Sequence, residues 1–303
     1  MVGVLNVDKP TGMTSHDVVA AARRALGIRR VGHSGTLDPA ATGVLLLCLG
    51  PATRLVEYLH ALPKTYVAQA MLGIATDTQD VSGQVVAEAD ASAVTETLVR
   101  EALGRFQGEI WQTPPMVSAL KVGGRRLYER ARAGEEVPRE PRRVTIHSLS
   151  LDRFEPGPRA CLWLTVTCSS GTYIRTLVDD LGRALSCGAT LVSLRRTAIG
   201  QFRVKDAVRL ADLGALAASS ELAARVVPLA AALAHLSAIT LPPAASARVR
   251  HGEPIPAPPD CPPGPFRLLD ESGDLLAVAE PLRQATRWLL VPRKVFGTAH
   301  AAR

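Results

Sequence analysis

The chain has 303 residues, 47% of them hydrophobic and 21% charged, which suits one large folded domain, alone or with a small companion, and excludes a disordered, collagen-like or heptad-repeat protein. No apolar run reaches the roughly 18 residues that a membrane helix requires. Basic residues outnumber acidic ones 35 to 28, a net charge of +7, and this surplus makes nucleic acid a candidate partner.

At the N-terminus, MVGVLNVDKP places Asn6, Asp8 and Lys9 where a signal peptide needs an apolar core, so a cytoplasmic protein with no membrane association is expected. A strand is predicted at Gly3 to Val7, a turn at Pro10 to Met13, and a helix from Asp17 to Leu26 with Ser15 as N-cap. Further strands are predicted at Val44 to Leu49, Thr65 to Leu72, Gln84 to Ala87 and Cys161 to Cys168, with helices at Ser92 to Leu103, Arg175 to Leu185 and Leu213 to Ala224. Turns separate many of these strands, so an α+β fold with a mixed, largely antiparallel sheet flanked by helices fits better than a doubly wound one. A junction between Pro228 and Leu241 leads to a Pro-rich segment with short strands at Phe266 to Asp270, Leu275 to Ala279 and Trp288 to Val291, which reads as a separate small β unit. Cys48, Cys161, Cys168, Cys187 and Cys261 are widely spaced and form no CxxC, so reduced thiols are expected and no metal site.

The stretch Lys121 to Arg143 holds eight basic and four acidic residues. It reads as a mobile basic arm for phosphates or as a solvated surface helix, and charge alone favours the helix. The loop His33 to Gly43 is dense in turn formers and runs straight into the most apolar strand, the setting in which active sites tend to lie. Asp38 is its most core-proximal ionisable group; Asp followed by Pro also makes a good helix start, and taken alone capping is the better reading. His33 has no second ligand at metal spacing, and neither a P-loop nor a dinucleotide fingerprint is present, so no cofactor is implied. Asp77 and Asp80 lack the ligand spacing of an EF-hand. Tyr173 and Arg175 stand at a strand-to-helix junction, where Arg175 could instead pair with Asp179 one turn on.

In combination these segments resemble the bacterial tRNA pseudouridine-55 synthases. The likeness rests on DKPTGMTS from Asp8, GHSGTLDPAATGVL from Gly32, KTY from Lys64, TDTQDVSG from Thr76, PPMVSALKVGGRRLYERARAG from Pro114 and CSSGTYIRTLVDDLG from Cys168, in the family's order. It implies a pseudouridine synthase domain over residues 1–232 with a basic RNA-gripping insertion at about 116–143, and a PUA-like RNA-binding domain over 236–296. It implies a cofactor-free isomerisation of a T-loop uridine in which Asp38 is the reacting carboxylate and Arg175 its bidentate partner. His33 is then expected to fill the gap left by the flipped base. Tyr66 would stack on the uracil and serve in proton transfer, and Tyr173 would line the pocket. Lys9, Lys121, Arg142 and Arg143 are expected to contact the tRNA, with no obligate protein partner and a monomeric state. The rival readings are a non-catalytic tRNA-binding or folding chaperone, and a guide-RNA-dependent pseudouridylase subunit.

Overall fold

The computed structural model describes residues 1–118, 121–122, 125–126, 135, 137–219, 221–258, 261–284 and 287–297. Strand β1 (Gly3–Lys9) leads to helix α1 (Ser15–Leu26), then β2 (Val31–Ser34), β3 (Thr42–Leu49), α2 (Val56–His60), β4 (Lys64–Leu72) and the small hairpin β5 (Ile74–Thr76) and β6 (Val85–Glu88). Helix α3 (Glu96–Gly104) and β7 (Gly108–Gln112) precede a two-residue ladder, β8 (Lys121–Val122) with β9 (Arg125–Arg126). The long strands β10 (Arg142–Glu155) and β11 (Cys161–Cys168), helix α4 (Ile174–Ala184) and strand β12 (Ala189–Ile199) follow, and then β13 (Phe202–Arg203), β14 (Val208–Arg209) and β15 (Val226–Val227).

All of these strands except β5, β6, β8 and β9 form one eleven-stranded sheet whose main path runs β14-β1-β3-β12-β4-β11-β10-β7. Only the β1/β14 and β12/β3 pairs are parallel, as expected from the turn-rich spacing of the strands. β3 is buried on both faces: Leu45, Leu47 and Leu49 pack with Val18, Val19 and Ala22 of α1 on one side, while Val44, Leu46 and Cys48 pack with Leu55 and Leu59 on the other. That is why its sequence is a continuous apolar run. β11 instead alternates half-buried and buried positions, with Leu162, Leu164 and Val166 packed with α4 and the other face half-buried.

The helix caps follow local chemistry. Thr14, not Ser15, is the N-cap of α1, in a reciprocal capping box with Asp17, and Gly27 ends the helix in the left-handed region at φ 64°. The helix expected over 213–224 is two short ones, α5 (Leu213–Ala218) and α6 (Glu221–Arg225).

Beyond α7 (Leu229–Ala232), a five-stranded sheet is built from β16 (Ser237–Thr240), β17 (Ile255–Pro256), β18 (Phe266–Leu269), β19 (Leu275–Gln284) and β20 (Arg287–Val295), with α8 (Pro243–Arg250) against it. This small C-terminal β unit also packs against the large sheet. The sheet has a core of its own around Val249, Phe266 and Leu268, yet Leu275, Val278 and Phe296 share a cluster with Val4, Val44 and Leu46 of the large sheet. Arg54 reinforces the seam, donating to the Val295 carbonyl at 2.6 Å with its guanidinium 5.2 Å from the Phe296 ring centroid. The run LLAVA of β19 is apolar throughout because both its faces are covered.

Candidate active site

The loop between β2 and β3 carries Asp38. It is not a helix N-cap: Ala41 N–H donates to the Asp38 carbonyl at 3.1 Å, closing a tight turn from which the chain enters β3 directly. The DKPTGMTS segment wraps this turn. Gly12 N–H donates to the Pro39 carbonyl at 2.9 Å, Lys9 Nζ donates to the carbonyls of Pro10 and Pro39 at 2.9 and 3.1 Å, and the Ser15 hydroxyl accepts from Leu37 N–H at 2.9 Å. Each contact uses up a loop polar group that would otherwise be left without a partner.

Lys9 is therefore corrected from an RNA contact to a loop anchor. It is 0% exposed and cannot reach a phosphate from where it sits. Burial pulls its ammonium down to about 8, against the opposing pull of Asp38.

Arg175 occupies the second position of α4, where the helix dipole disfavours a cation. The surroundings overcome this. Nε lies 3.0 Å from Asp38 Oδ2 and Nη1 lies 3.6 Å from Asp80 Oδ2, while Nη1 and Nη2 donate to the carbonyls of Thr78 and Val117 at 3.0 and 2.7 Å. The expected bidentate fork is thus replaced by contact through Nε, with the terminal nitrogens engaged by backbone. Pairing with Asp179 does not occur; that carboxylate takes Arg183 at 3.1 Å and the Gln79 amide at 3.1 Å. The side chain of Arg175 is 4% exposed and that of Asp38 46%, so a buried guanidinium holds a carboxylate that opens to solvent.

Three motifs converge on Arg175. TDTQD supplies Asp80 and the Thr78 carbonyl, with Gln79 held at φ 64° and its amide oxygen accepting from Thr176 Oγ1 at 2.9 Å. PPMVS supplies the Val117 carbonyl. Gln112 grips the backbone of Tyr173, the N-cap of α4, accepting from its N–H at 3.0 Å and donating to its carbonyl at 3.2 Å. Asp77 and Asp80 behave as loop residues: Asp77 Oδ1 accepts from Gln84 N–H at 2.8 Å and Asp80 Oδ1 from Ser82 N–H at 3.0 Å, and no group of potential metal ligands occurs among the described residues.

Tyr66 on β4 is buried in the same cluster as Leu37 and Ala41, which flank Asp38 in the chain. Burial raises its phenol above the usual value, and Arg196 works against that shift. Lys64 is pulled down to about 8 by burial and by Arg196, and His60 is lowered by burial and by both cations. His33 stands on β2 opposite Leu47, on the strand that leads into the Asp38 loop. Lys121 belongs to the short ladder at the start of the basic stretch. Arg142 and Arg143 do not lie in a mobile arm or on a surface helix: they begin β10, paired with Gln112 and Trp111 of β7, and Arg143 bridges Glu109 at 2.7 Å.

Sequence reasoning missed Gln79, Gln112 and Arg196. The available signal for Arg196 is the doublet in SLRRTAI, because alternation sends adjacent strand residues to opposite faces and must bury one of the two. Arg195 meets Asp8 at 2.7 Å and Arg196 is the buried one.

Comparison with known proteins agrees with this geometry. The model for the TruB family pseudouridylate synthase (N terminal domain) matches residues 23–174, and that for the tRNA pseudouridylate synthase B C-terminal domain matches residues 175–234. Their boundary separates Asp38 from Arg175, so the ion pair joins the two matched segments. A tRNA pseudouridine synthase B from Symbiobacterium thermophilum is 56% identical over 250 residues, 82% of each chain, and one from Moorella thermoacetica is 46% identical over 306 residues, covering 98% of this chain and 99% of that protein. Among solved structures, a chain of a Cbf5-Nop10-Gar1 complex superposes with a TM-score of 0.76 at 28% identity, covering 97% of this chain and 84% of that one. A chain of an H/ACA RNP bound to a substrate RNA containing 2′-deoxyuridine gives 0.75 at 27%, covering 98% and 85%. With matching models over most of the chain and relatives this similar across nearly its whole length, the protein belongs to the TruB family of pseudouridylate synthases.

Proposed function

We propose that this chain converts a T-loop uridine of tRNA, at position 55, into pseudouridine, with Asp38 as the reacting carboxylate. The observation that carries the reading is the 3.0 Å contact between a buried Arg175 and a solvent-facing Asp38. A chaperone or other pure binder has no use for such a pair, whereas a reaction that makes and breaks a bond at a carboxylate needs it held and aimed. Relatives named tRNA pseudouridine synthase B support tRNA as the substrate.

The isomerisation breaks the N1–C1′ bond and forms C5–C1′. C5 loses a proton and N1 gains one, so atoms and electrons balance within the nucleotide. Addition of Asp38 to C6, its attack on C1′, and glycal formation all call on the same carboxylate. Tyr66 is assigned the transfer of the C5 proton.

Extrusion of the target base costs roughly a few kcal/mol. Stacking on Tyr66 offsets much of it at about 1 to 3 kcal/mol, with Tyr173 lining the pocket and His33 filling the vacated space. Lys121, Arg142 and Arg143 are assigned to tRNA phosphates, and the C-terminal sheet, as a PUA-like domain over 236–296, to RNA beyond the T arm. The chain acts as a cytoplasmic monomer without an obligate partner or cofactor. No helix among the described residues is long and apolar enough to cross a membrane.

The likeness to Cbf5, seen in complexes with Nop10 and Gar1, gives the guide-RNA reading its one support. The test uses the purified chain and a tRNA transcript labelled with tritium at uridine C5. Tritium release with one new pseudouridine is expected from the chain alone, and binding without release from Asp38→Ala. Release by Asp38→Ala near the wild-type rate would refute the assignment, and activity only after addition of a guide RNA would favour the rival.

A further inference from the structure

We propose that Arg196 is a positioning residue of the active site, holding the Tyr66 hydroxyl and the Gly35–Asp38 loop in one arrangement through a single buried guanidinium. The proposal rests on the reading of Tyr66 as the proton-transfer group. Its grounds are geometric. Arg196 is 1% exposed, and it lies where three strands meet: β12 pairs with β3 at Arg196↔Gly43 and with β4 at Arg196↔Tyr66. A directly opposed cross-strand pair places the two Cβ atoms about 5 Å apart on one face, so the guanidinium and the phenol share a side of the sheet.

The backbone is shaped for this purpose. β12 carries an irregularity between Arg196 and Ala198, the kind of local kink that re-aims a side chain beside an active site. Gly43 has φ 105°, and a Cβ there would sit 2.1 Å from the Arg196 carbonyl oxygen, so the two backbones can run this close only because residue 43 is glycine.

The nitrogens of Arg196 reach separate parts of the site. Nε donates to the Val44 carbonyl at 2.7 Å, at the root of β3, and Nη2 to the Gly35 carbonyl at 3.0 Å, three residues before Asp38. Tyr66 faces Arg196 directly across the β12/β4 pair, and the guanidinium pulls the phenol down against the effect of its burial. A structural cation would be satisfied by the two carbonyls alone; this one also stands directly opposite a phenol on the neighbouring strand. The other charged or titratable groups coupled to this corner are Lys64 and His60 beside Arg196, Asp38 and Cys168 beside Tyr66, and Lys9 behind the loop. The extra cations are poor substitutes for Arg196: Lys64 Nζ is engaged by the Leu62 and His60 carbonyls, and Lys9 Nζ by those of Pro10 and Pro39.

The test combines a double-mutant cycle with a spectroscopic readout that needs no turnover. In single-turnover assays on a tRNA transcript, Arg196→Gln is expected to lower the rate about a hundredfold, the scale of one general acid–base contribution, with KM within about twofold. In a Tyr66→Phe background the same change should cost less than about threefold, because the group it acts through is gone. Arg196→Lys fills the site while offering a single donor point, should restore part of the rate, and carries the same cycle if Arg196→Gln does not fold. The chain has four tyrosines, so the Tyr66 13Cζ resonance can be assigned by Tyr66→Phe. It should shift at neutral pH in the Arg196 variants while that of Tyr173 stays in place. Equal rate losses in both backgrounds, a loss confined to KM, or an unmoved Tyr66 resonance would overturn the proposal. A wild-type chain that makes no pseudouridine would sink the functional reading, and the resonance would still decide the Arg196 contact.

Discussion

Replacing Arg175 with Lys keeps the charge and removes the shape. In the native site Nε addresses Asp38 at 3.0 Å while Nη1 and Nη2 satisfy two backbone carbonyls at 3.0 and 2.7 Å. An ammonium offers three donors from one point and cannot span partners on separate loops. At least one carbonyl, in a site that leaves the arginine 4% exposed, loses its partner. Hydrogen bonds to charged groups are worth about 1.5 to 3 kcal/mol each, so the loss is about 3 kcal/mol, a fall in Tm of roughly 6 °C for a chain of this size.

The catalytic cost is larger. A carboxylate displaced by about 1 Å forfeits on the order of a hundredfold in rate. Tritium release in single turnover should therefore fall about a hundredfold for Arg175→Lys, with tRNA affinity by filter binding within about threefold, because the guanidinium is buried beneath the binding surface. Arg175→Ala, which leaves Asp38 and Asp80 facing each other without their cation, should be still less stable by about 1 to 2 kcal/mol. A Lys variant with the wild-type rate and Tm would show that the carboxylate is aimed by something other than this guanidinium.

Lys9→Met should lower Tm and rate while leaving the salt dependence of tRNA binding unchanged; a phosphate contact would instead reduce the logarithmic salt slope by roughly one. Gly43→Ala should prevent folding or cost more than about 4 kcal/mol, read by denaturant melts, because a Cβ there meets the Arg196 carbonyl oxygen at 2.1 Å; a soluble variant of native stability would contradict the packing. Thermal stability should respond to alkaline pH in a defined direction. The folded-state values of Lys9 and Lys64 are lowered from 10.5 to about 8, so between those values the unfolded chain holds more protons. The contribution of this pair to stability rises with pH across the window, and below about 8 the full cost of burying both ammonium groups is present. Lys64→Met together with Lys9→Met should flatten that part of the curve, and an unchanged slope would refute the assignment.

Much of the architecture was legible from periodicity. The pattern of Cys161–Cys168 specifies β11 residue for residue, because alternation over eight residues has one solution when one face is more deeply buried than the other. β3 was legible as an unbroken apolar run. The misreadings fall where a local rule has an equally local competitor. Thr14 displaced Ser15 as cap because Asp17 sits three residues after Thr14 and closes the capping box. Asp38 before Pro satisfies the capping rule, but DKPTGMTS takes up the loop carbonyls and the chain turns into β3 instead. The basic stretch reads as arm or helix by charge, yet Arg142 and Arg143 are strand residues paired with β7.

The amino-acid order by itself determined the strands and helices, their caps, and the run of motifs in which Asp38, Tyr66 and Arg175 stand, since each depends on neighbours within a few residues. Only the tertiary structure decided that Arg175 turns from Asp179, four residues away, to Asp38, 137 positions earlier in the chain, and that Lys9 and Arg196 are buried anchors. A guanidinium is equally at home in water, against a carbonyl or beside a carboxylate. What selects among these is which partners the folded sheet carries into reach after water has been excluded, and that depends on contacts between segments far apart in the chain.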